Sequence, residues 1–526
     1  MIEEAVEFAI VIIFALALAS AIGVYMTLLI LDKPRPFERT LSKIEGAFFR
    51  LAGIDKNAMM TWRQYLKAFL ATNLLLTVFI FVILYWQGMS LDLSFNTASS
   101  FATNTNLQHY AGETLSLLSQ LGLIVPMFVA PGSAFAVAFA FLRCFKNTSN
   151  KVGNFYVDLI RVVFTILLPV TFVGAIVLMI LGVPQTMETT MTTGALDGGQ
   201  QVIHIGPIAS WESIKLFGNN GGGFLGANSA SPFENPTGLS NAVEIVLMLS
   251  GPLAFPFAYG ELFGRAKGRA LLIVIMAPFL VLLAFALSTP AGTMGLETRF
   301  GPFGSVLFNF GSISSNTGAT NALLAGLPRR PIVSMFVCMF VQAIPGGGGA
   351  GFMMLVVYAI LTIFLVGLMV GKTPELLGYK IHPKEVKLAV IVFIIHPLLI
   401  LVPSAIAFAS GQAQAILGPH VAPGSYTQVL YEFTSASANN GSDYLGTIAN
   451  TPFWNISTGI VMLAGRFVPI SLMLMIAGQY DARFRRDVPE PIRTDGWGFI
   501  LTMIAVTFVL TALAFLPFLV IGPFVM

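Results

Sequence analysis

The chain has 526 residues, of which 56% are hydrophobic and only 10% charged, where a soluble domain carries about 25% charge. With 45 Phe and a mean hydropathy of +0.81, this composition excludes a soluble enzyme. Apolar runs of about 20 residues also exclude an outer-membrane barrel built from strands of ~10 residues. The net charge of +3 says little and points to no nucleic-acid partner; its distribution is more informative.

The chain opens Met1-Ile2-Glu3-Glu4, without the basic start and small-residue cleavage site of a secretory signal, so the first apolar run is expected to be a retained span. Runs of spanning length lie near 8–31, 68–86, 115–142, 156–183, 240–263, 270–289, 332–370, 388–410, 456–478 and 497–525. They predict ten transmembrane helices in an all-α polytopic membrane protein surrounded by lipid. The seventh run is too long for one crossing and is interrupted at Pro345-Gly346-Gly347-Gly348-Gly349, where the helix should break near mid-membrane. Cys144 and Cys338 lie in apolar segments and imply neither a disulfide nor a metal site.

Five segments on one face, between spans one and two, three and four, five and six, seven and eight, and nine and ten, hold 23 of the 28 basic residues. Arg466, Arg483, Arg485, Arg486 and Arg493 are counted in the last. Lys215, Arg299, Arg329 and Arg330 lie on the opposite face. The bias places the basic face in the cytoplasm and both termini outside.

The four outward connections share a pattern: an apolar stretch, a polar loop, then the next span. The loops read Ser100-Phe101-Ala102-Thr103-Asn104-Thr105-Asn106, Phe217-Gly218-Asn219-Asn220-Gly221, Ser314-Ser315-Asn316-Thr317-Gly318 and Ala438-Asn439-Asn440-Gly441. The second and fourth are an internal repeat offset by 220 residues, with eight identities in 17 positions from Asn219 to Asn235. A span, a re-entrant helix, a polar loop and a second span form the unit of a potassium-channel pore. Four such units in one chain predict a pseudo-fourfold pore in a single membrane domain, 1–526. Its units are 68–142, 156–263, 270–371 (with the broken second span) and 388–478. Residues 1–67 add the first span and a basic loop, and 479–526 add a further loop and the last span.

In such loops backbone carbonyls can replace the water shell of a cation. Gly221, Gly318 and Gly441 are the candidate central filter glycines, with Asn219, Asn220, Asn316, Thr317, Asn439 and Asn440 beside them. Thr103, Asn104 and Thr105 are expected to fill the same level in the first unit, which has no glycine there. Asn106 and Gln108 are adjacent, Gln108 either at the filter or capping a helix on the rim. Gly346 to Gly349 are either a barrier below the filter or a site of close packing.

At these loops the chain resembles the potassium-transporting ATPase A chain family, KdpA. The resemblance rests on the first loop with Gln108, Asn219 to Ser229, Pro232-Phe233-Glu234-Asn235-Pro236-Thr237, Lys372-Thr373-Pro374-Glu375 with Gly378, Ala438 to Ser442, Pro452-Phe453-Trp454-Asn455 and Gly465-Arg466-Phe467. It implies a fold of the superfamily of potassium transporters in a bacterial or archaeal plasma membrane. It also implies a role as the non-catalytic, potassium-binding and translocating subunit of an ATP-driven importer. Potassium is then the substrate, no organic cofactor is expected, and ATP acts only through a partner. The implied partners are a KdpB-like P-type ATPase subunit, a KdpC-like single-span subunit and a KdpF-like small peptide. The chain itself carries no Walker A pattern and no Asp-Lys-Thr-Gly phosphorylation motif. The alternative is a stand-alone potassium channel or ion-coupled transporter of the same superfamily. By the same resemblance, Arg466, read at the cytoplasmic end of span nine, is a fixed cation against direct inward passage; the other reading is a snorkelling interfacial arginine. The chain departs from the family at Asn316-Thr317-Gly318-Ala319, at Gln342 in place of a common acidic residue, and at Asp443.

Overall fold

The computed structural model describes residues 2–146, 151–196, 198–288, 296–418, 423–481 and 492–516. Arg483, Arg485 and Arg486 and residues 517–525 of the expected last span therefore lie outside the described residues. Within them, ten helices are long and apolar enough to cross a membrane. They are Val6–Ile30, Trp62–Trp86, Leu117–Lys146, Phe155–Ile180, Gly238–Phe263, Arg265–Leu287, Ala350–Val370, Pro383–Ala409, Pro452–Tyr480 and Trp497–Ala514. Each agrees with an expected run. The seventh run is divided into Arg329–Val341 and Ala350–Val370, and the break falls on Gln342 and the glycines, as expected.

Four shorter helices stand between spans: Leu91–Ala102, Ile208–Phe217, Gly301–Ser314 and Pro423–Ala438. Each precedes one of the four polar loops, so the span, re-entrant helix, loop and second span recur four times. The first pore helix begins with a Ser90 cap that accepts from the Leu93 amide. Such capping settles one of the amides left open at a helix start. Thr61 with Gln64, and Thr237 with Ser240, form reciprocal capping boxes at the starts of the second and fifth spans.

Small residues bring the spans together. A Cβ on Gly23 would lie 2.5 Å from the carbonyl oxygen of Ala254, so only glycine lets the first span approach the fifth this closely. At the ends of the spans remote from the loops, buried Arg143 pairs with Asp158, which also accepts from Tyr65 at 2.9 Å. A buried arginine so paired avoids the cost of an isolated charge.

Among the elements not expected, two stand out. The first basic segment contains an amphipathic helix, Glu38–Leu51, tied by Arg35 to Glu38 and Glu45 at 2.8 Å each. Before the second pore helix, Thr190–Gly194 pairs antiparallel with Gln200–His204. Its threonines favour strand, but the segment is too short and polar to stand out beside the spans.

Candidate ion filter and the chamber beneath it

All four pore helices end in the same way. Within two residues of each helix end stands an asparagine in the left-handed region: Asn104 at φ 63°, Asn219 at 53°, Asn316 at 51° and Asn439 at 52°. The amide of the residue after each then bonds back to a carbonyl five positions earlier. The pairs are Thr105 to Ser100 (2.9 Å), Asn220 to Lys215 (2.8 Å), Thr317 to Ser312 (2.8 Å) and Asn440 to Ser435 (2.9 Å). This is a Schellman ending, which suits asparagine or glycine because both tolerate positive φ. It turns the chain sharply, so the loops leave the helix ends together. The negative ends of four helix dipoles then face one region, where they favour a cation.

The asparagine side chains join the loops in a closed cycle. Asn104 Nδ2 donates to the carbonyls of Gly218 (3.0 Å) and Asn219 (2.8 Å). Asn219 Nδ2 donates to Thr317 Oγ1 at 2.8 Å. Asn316 Nδ2 donates to the Ala438 carbonyl at 3.1 Å. Asn439 Nδ2 donates to Thr105 Oγ1 at 3.0 Å and returns the cycle to the first unit. The symmetry is twofold within the fourfold. Units one and three donate to a backbone carbonyl and carry a hydroxyl pair, Thr103 with Thr105 and Ser315 with Thr317, each 2.7 Å apart. Units two and four donate to those threonines and also to their own following spans, at Met248 (2.8 Å) and Met462 (2.9 Å). The 220-residue repeat therefore joins two loops of the same type.

Two residues further along, each loop again takes positive φ: Asn106 at 53°, Gly221 at 86°, Gly318 at 82° and Gly441 at 92°. The three glycines are where the backbones meet. A Cβ on Gly221 would fall 1.7 Å from the Thr317 oxygen, on Gly318 2.1 Å from the Asn440 oxygen, and on Gly441 1.7 Å from the Thr105 oxygen. Those three positions exclude any side chain. The expectation for unit one needs correcting: Asn106, not Thr103 to Thr105, stands in register with the glycines. It fits because the neighbour it faces is Gly222, where a Cβ would lie 2.8 Å from the Asn106 Cβ. Asn220 Nδ2 bonds Asn104 Oδ1 at 2.6 Å, while Asn440 Nδ2 bonds the Ile313 carbonyl at 2.9 Å. Gln108 neither caps a helix nor enters the ring. Its amide holds the Gly223 carbonyl at 3.1 Å on the wall of an outer vestibule of about 540 Å³.

Below the asparagines lies a chamber of about 40 Å³, lined by Asn104, Asn316, Asn439, Gln342, Gly347, Gly348, His396, Ser437 and Arg466 among others. A space of that size accommodates a water-sized guest. The Gln342 to Gly349 break contributes Gln342, Gly347 and Gly348 to its wall. Gly346 N–H bonds the Ser314 carbonyl at 3.0 Å, and Gly348 N–H bonds Asn219 Oδ1 at 3.2 Å. The loop thus reaches from the third unit to the second. Pro345 precedes glycines that are also tightly packed: a Cβ on Gly349 would lie 2.7 Å from the Ala134 oxygen. A barrier and close packing are compatible here. Gln342 sits at φ 56° with its amide 2.9 Å from His396 Nδ1, and His396 bonds Ser437 at 2.7 Å.

Arg466 is not at the end of span nine. That helix begins at Pro452 and runs to Asp481, so Arg466 falls halfway along it, buried against the chamber. A snorkelling arginine is expected near a helix end, whereas this one stands mid-helix with its side chain buried. Lys215, read as an outward-facing charge, is instead fully buried behind the second loop, 2.7 Å from Glu212 and 2.6 Å from Glu234. Sequence reasoning missed the asparagine cycle, although an asparagine within two residues of the end of every pore helix was a visible signal.

A family model described as potassium-transporting ATPase A subunit matches residues 9–526. The potassium-transporting ATPase potassium-binding subunit of Clostridium acetobutylicum is 40% identical, with 99% of each chain covered. The proteins of the same name from Geobacillus kaustophilus and a Nostoc species are each 38% identical, covering 98% and 97% of this chain and 98% and 95% of their own. In fold, the chain is similar to the crystal structure of the potassium transporter TrkH from Vibrio parahaemolyticus. That match has a TM-score of 0.55 at 17% identity and covers 90% of this chain and 98% of that one.

Proposed function

The chain belongs to the family of potassium-transporting ATPase A subunits, and from that premise we propose how it handles the ion. It is the potassium-binding subunit of an ATP-driven potassium transport system. Potassium enters the outer vestibule, loses its water, and is held by backbone carbonyls of the loops around Gly221, Gly318, Gly441 and Asn106. The observation that carries this reading is the closed cycle of asparagine amides, which fixes four loops around one axis at the converging negative ends of four helices. The ion then reaches the chamber. The glycine break and the buried guanidinium of Arg466 oppose straight descent, and the ion leaves sideways toward a P-type ATPase subunit that supplies the energy. A single-span accessory subunit and a small single-span peptide complete the assembly. The filter faces outward across a bacterial or archaeal plasma membrane, with both termini outside.

A stand-alone channel or ion-coupled transporter is less well supported. The relatives at 38–40% identity are named as ATPase subunits, whereas the TrkH likeness is one of fold. The test is to purify the tagged chain from its native membrane, identify its companions, and measure potassium-stimulated ATP hydrolysis. Co-purification of a P-type ATPase with potassium-dependent turnover is expected. Isolation of the chain alone, with ATP-independent potassium flux, refutes the proposal.

A further inference from the structure

The pore helices of units two and four each carry a glutamate at the same place in the 220-residue repeat, Glu212 and Glu432, both fully buried. In unit two a fixed cation accompanies it: Lys215, one turn on, lies within 2.7 Å of both Glu212 and Glu234. Unit four has Ser435 at the position of Lys215. Its glutamate instead meets Asp443, two residues past Gly441, and His109, three residues past Asn106. One donor atom from each of the three side chains lies within 4.8 Å of the others.

Hydrogen bonding fixes the imidazole. Asn455 Nδ2 donates to Asp92 Oδ2 (2.7 Å) and Asn450 Oδ1 (2.9 Å), so its Oδ1 is an acceptor. That oxygen lies 2.7 Å from His109 Nδ1, which must therefore carry the proton. In the neutral ring Nε2 then presents a lone pair to Glu432 Oε1 at 3.1 Å, and two acceptors face each other. Glu432 Oε2 and Asp443 Oδ2 are buried without a hydrogen-bond partner. Either added protons or a bound cation must lie between these groups, where unit two has an ammonium.

We propose that His109 Nε2, Glu432 and Asp443 bind a divalent transition cation of the zinc class. Two carboxylates neutralise its charge, and one imidazole with carboxylate oxygens suits such an ion. The Asn455 bond to Nδ1 is the outer contact that usually orients a ligating histidine. Ligands of a tetrahedral site stand about 3.4 Å apart at metal–ligand distances of ~2.1 Å, so closure needs only a modest inward movement of the side chains. Asp443 also lines the outer vestibule, which gives the ion an entry path and leaves a fourth position for water. The ion would clasp the first loop to the fourth, at the seam where the chain's first and last pore units meet.

The test uses the full complex carrying a histidine-free affinity tag, stripped with chelator and titrated with Co²⁺ alone. We expect one Co²⁺ per chain with intense tetrahedral visible bands, displaced by Zn²⁺. His109→Gln and Asp443→Asn should each weaken binding at least tenfold. Asp443, partly exposed in the vestibule, is the variant with the smaller demand on folding, and monodisperse elution of the complex checks it. A wild-type complex that binds no more Co²⁺ than Asp443→Asn, or binds it without tetrahedral bands, overturns the proposal and leaves the three side chains sharing protons alone.

Discussion

Asn439 donates its side-chain amide to Thr105 Oγ1 at 3.0 Å, a bond between residues 334 positions apart that closes the cycle of filter loops. The same amide satisfies the Met462 carbonyl at 2.9 Å. Replacing Asn439 with Ala removes both bonds in a buried setting, although Thr105 Oγ1 keeps Thr103 Oγ1 at 2.7 Å, and removes a side chain suited to positive φ. Each such hydrogen bond contributes roughly 0.5–1.5 kcal/mol. The variant is therefore expected to melt at a lower temperature in detergent, with potassium protecting it less than it protects the parent. An unchanged melting curve with full potassium protection counts against the cycle as the element that sets the loops.

The positions two residues later separate two kinds of constraint. Gly221→Ala puts a methyl where the Thr317 carbonyl stands, at φ 86°, so the carbonyls must move. Apparent potassium affinity should fall at least tenfold, about 1.4 kcal/mol, with greater tolerance of rubidium or ammonium. Asn106→Gly should behave differently. Asn106 is already at positive φ and neither side-chain polar atom has a hydrogen-bond partner, so thermal stability should be equal or slightly higher. Binding assays and melting curves on the pair decide; equal losses in both would remove the distinction drawn between them.

Those two residues also show what the sequence reveals. The glycines were legible because positive φ at close backbone contact leaves few other choices. Asn106 was not, since the same conformation is open to asparagine and no glycine marked the level. The ten spans and the four loops were legible from hydropathy because lipid permits little else. The depth of Arg466 was obscured because its charge invited an interfacial reading, whereas its helix starts at Pro452 and places it halfway along. His109 and Glu432 are 323 positions apart, and no local pattern couples them.

Topology rests on the charge bias and is open to direct measurement. Lys43 and Lys380 lie between spans and Lys146 and Lys267 in the end turns of spans, all at the span ends remote from the filter loops. Single cysteines placed there, in a chain whose Cys144 and Cys338 have been replaced, should react with a membrane-impermeant maleimide only after the cells are opened. Arg486 belongs to the same test although it lies outside the described residues. Labelling in intact cells at more than one of these sites would overturn both the cytoplasmic placement and the outward orientation of the filter.

In the proposed function, the glycine break is what separates a pump subunit from a channel. Gly346 and Gly348 hold the loop to Ser314 and Asn219 through their amides, and Gly347 and Gly348 line the chamber. If this loop, fixed at two units, is the barrier, no side chain needs to move for it to block an ion. Deleting Gly347 and Gly348 removes part of the chamber wall and the bond to Asn219. The shortened chain, reconstituted with its partners, should then pass rubidium without ATP, at rates rising with the electrical driving force, about 2.3 kcal/mol per charge per 100 mV. Restoring the two residues as alanines tests packing separately: a Cβ at Gly348 would press on Phe135 at 2.5 Å, so that variant should lose stability but remain closed. If the deleted form assembles with its partners, melts as the parent does and stays silent without ATP, the barrier lies elsewhere and the glycines serve close packing alone.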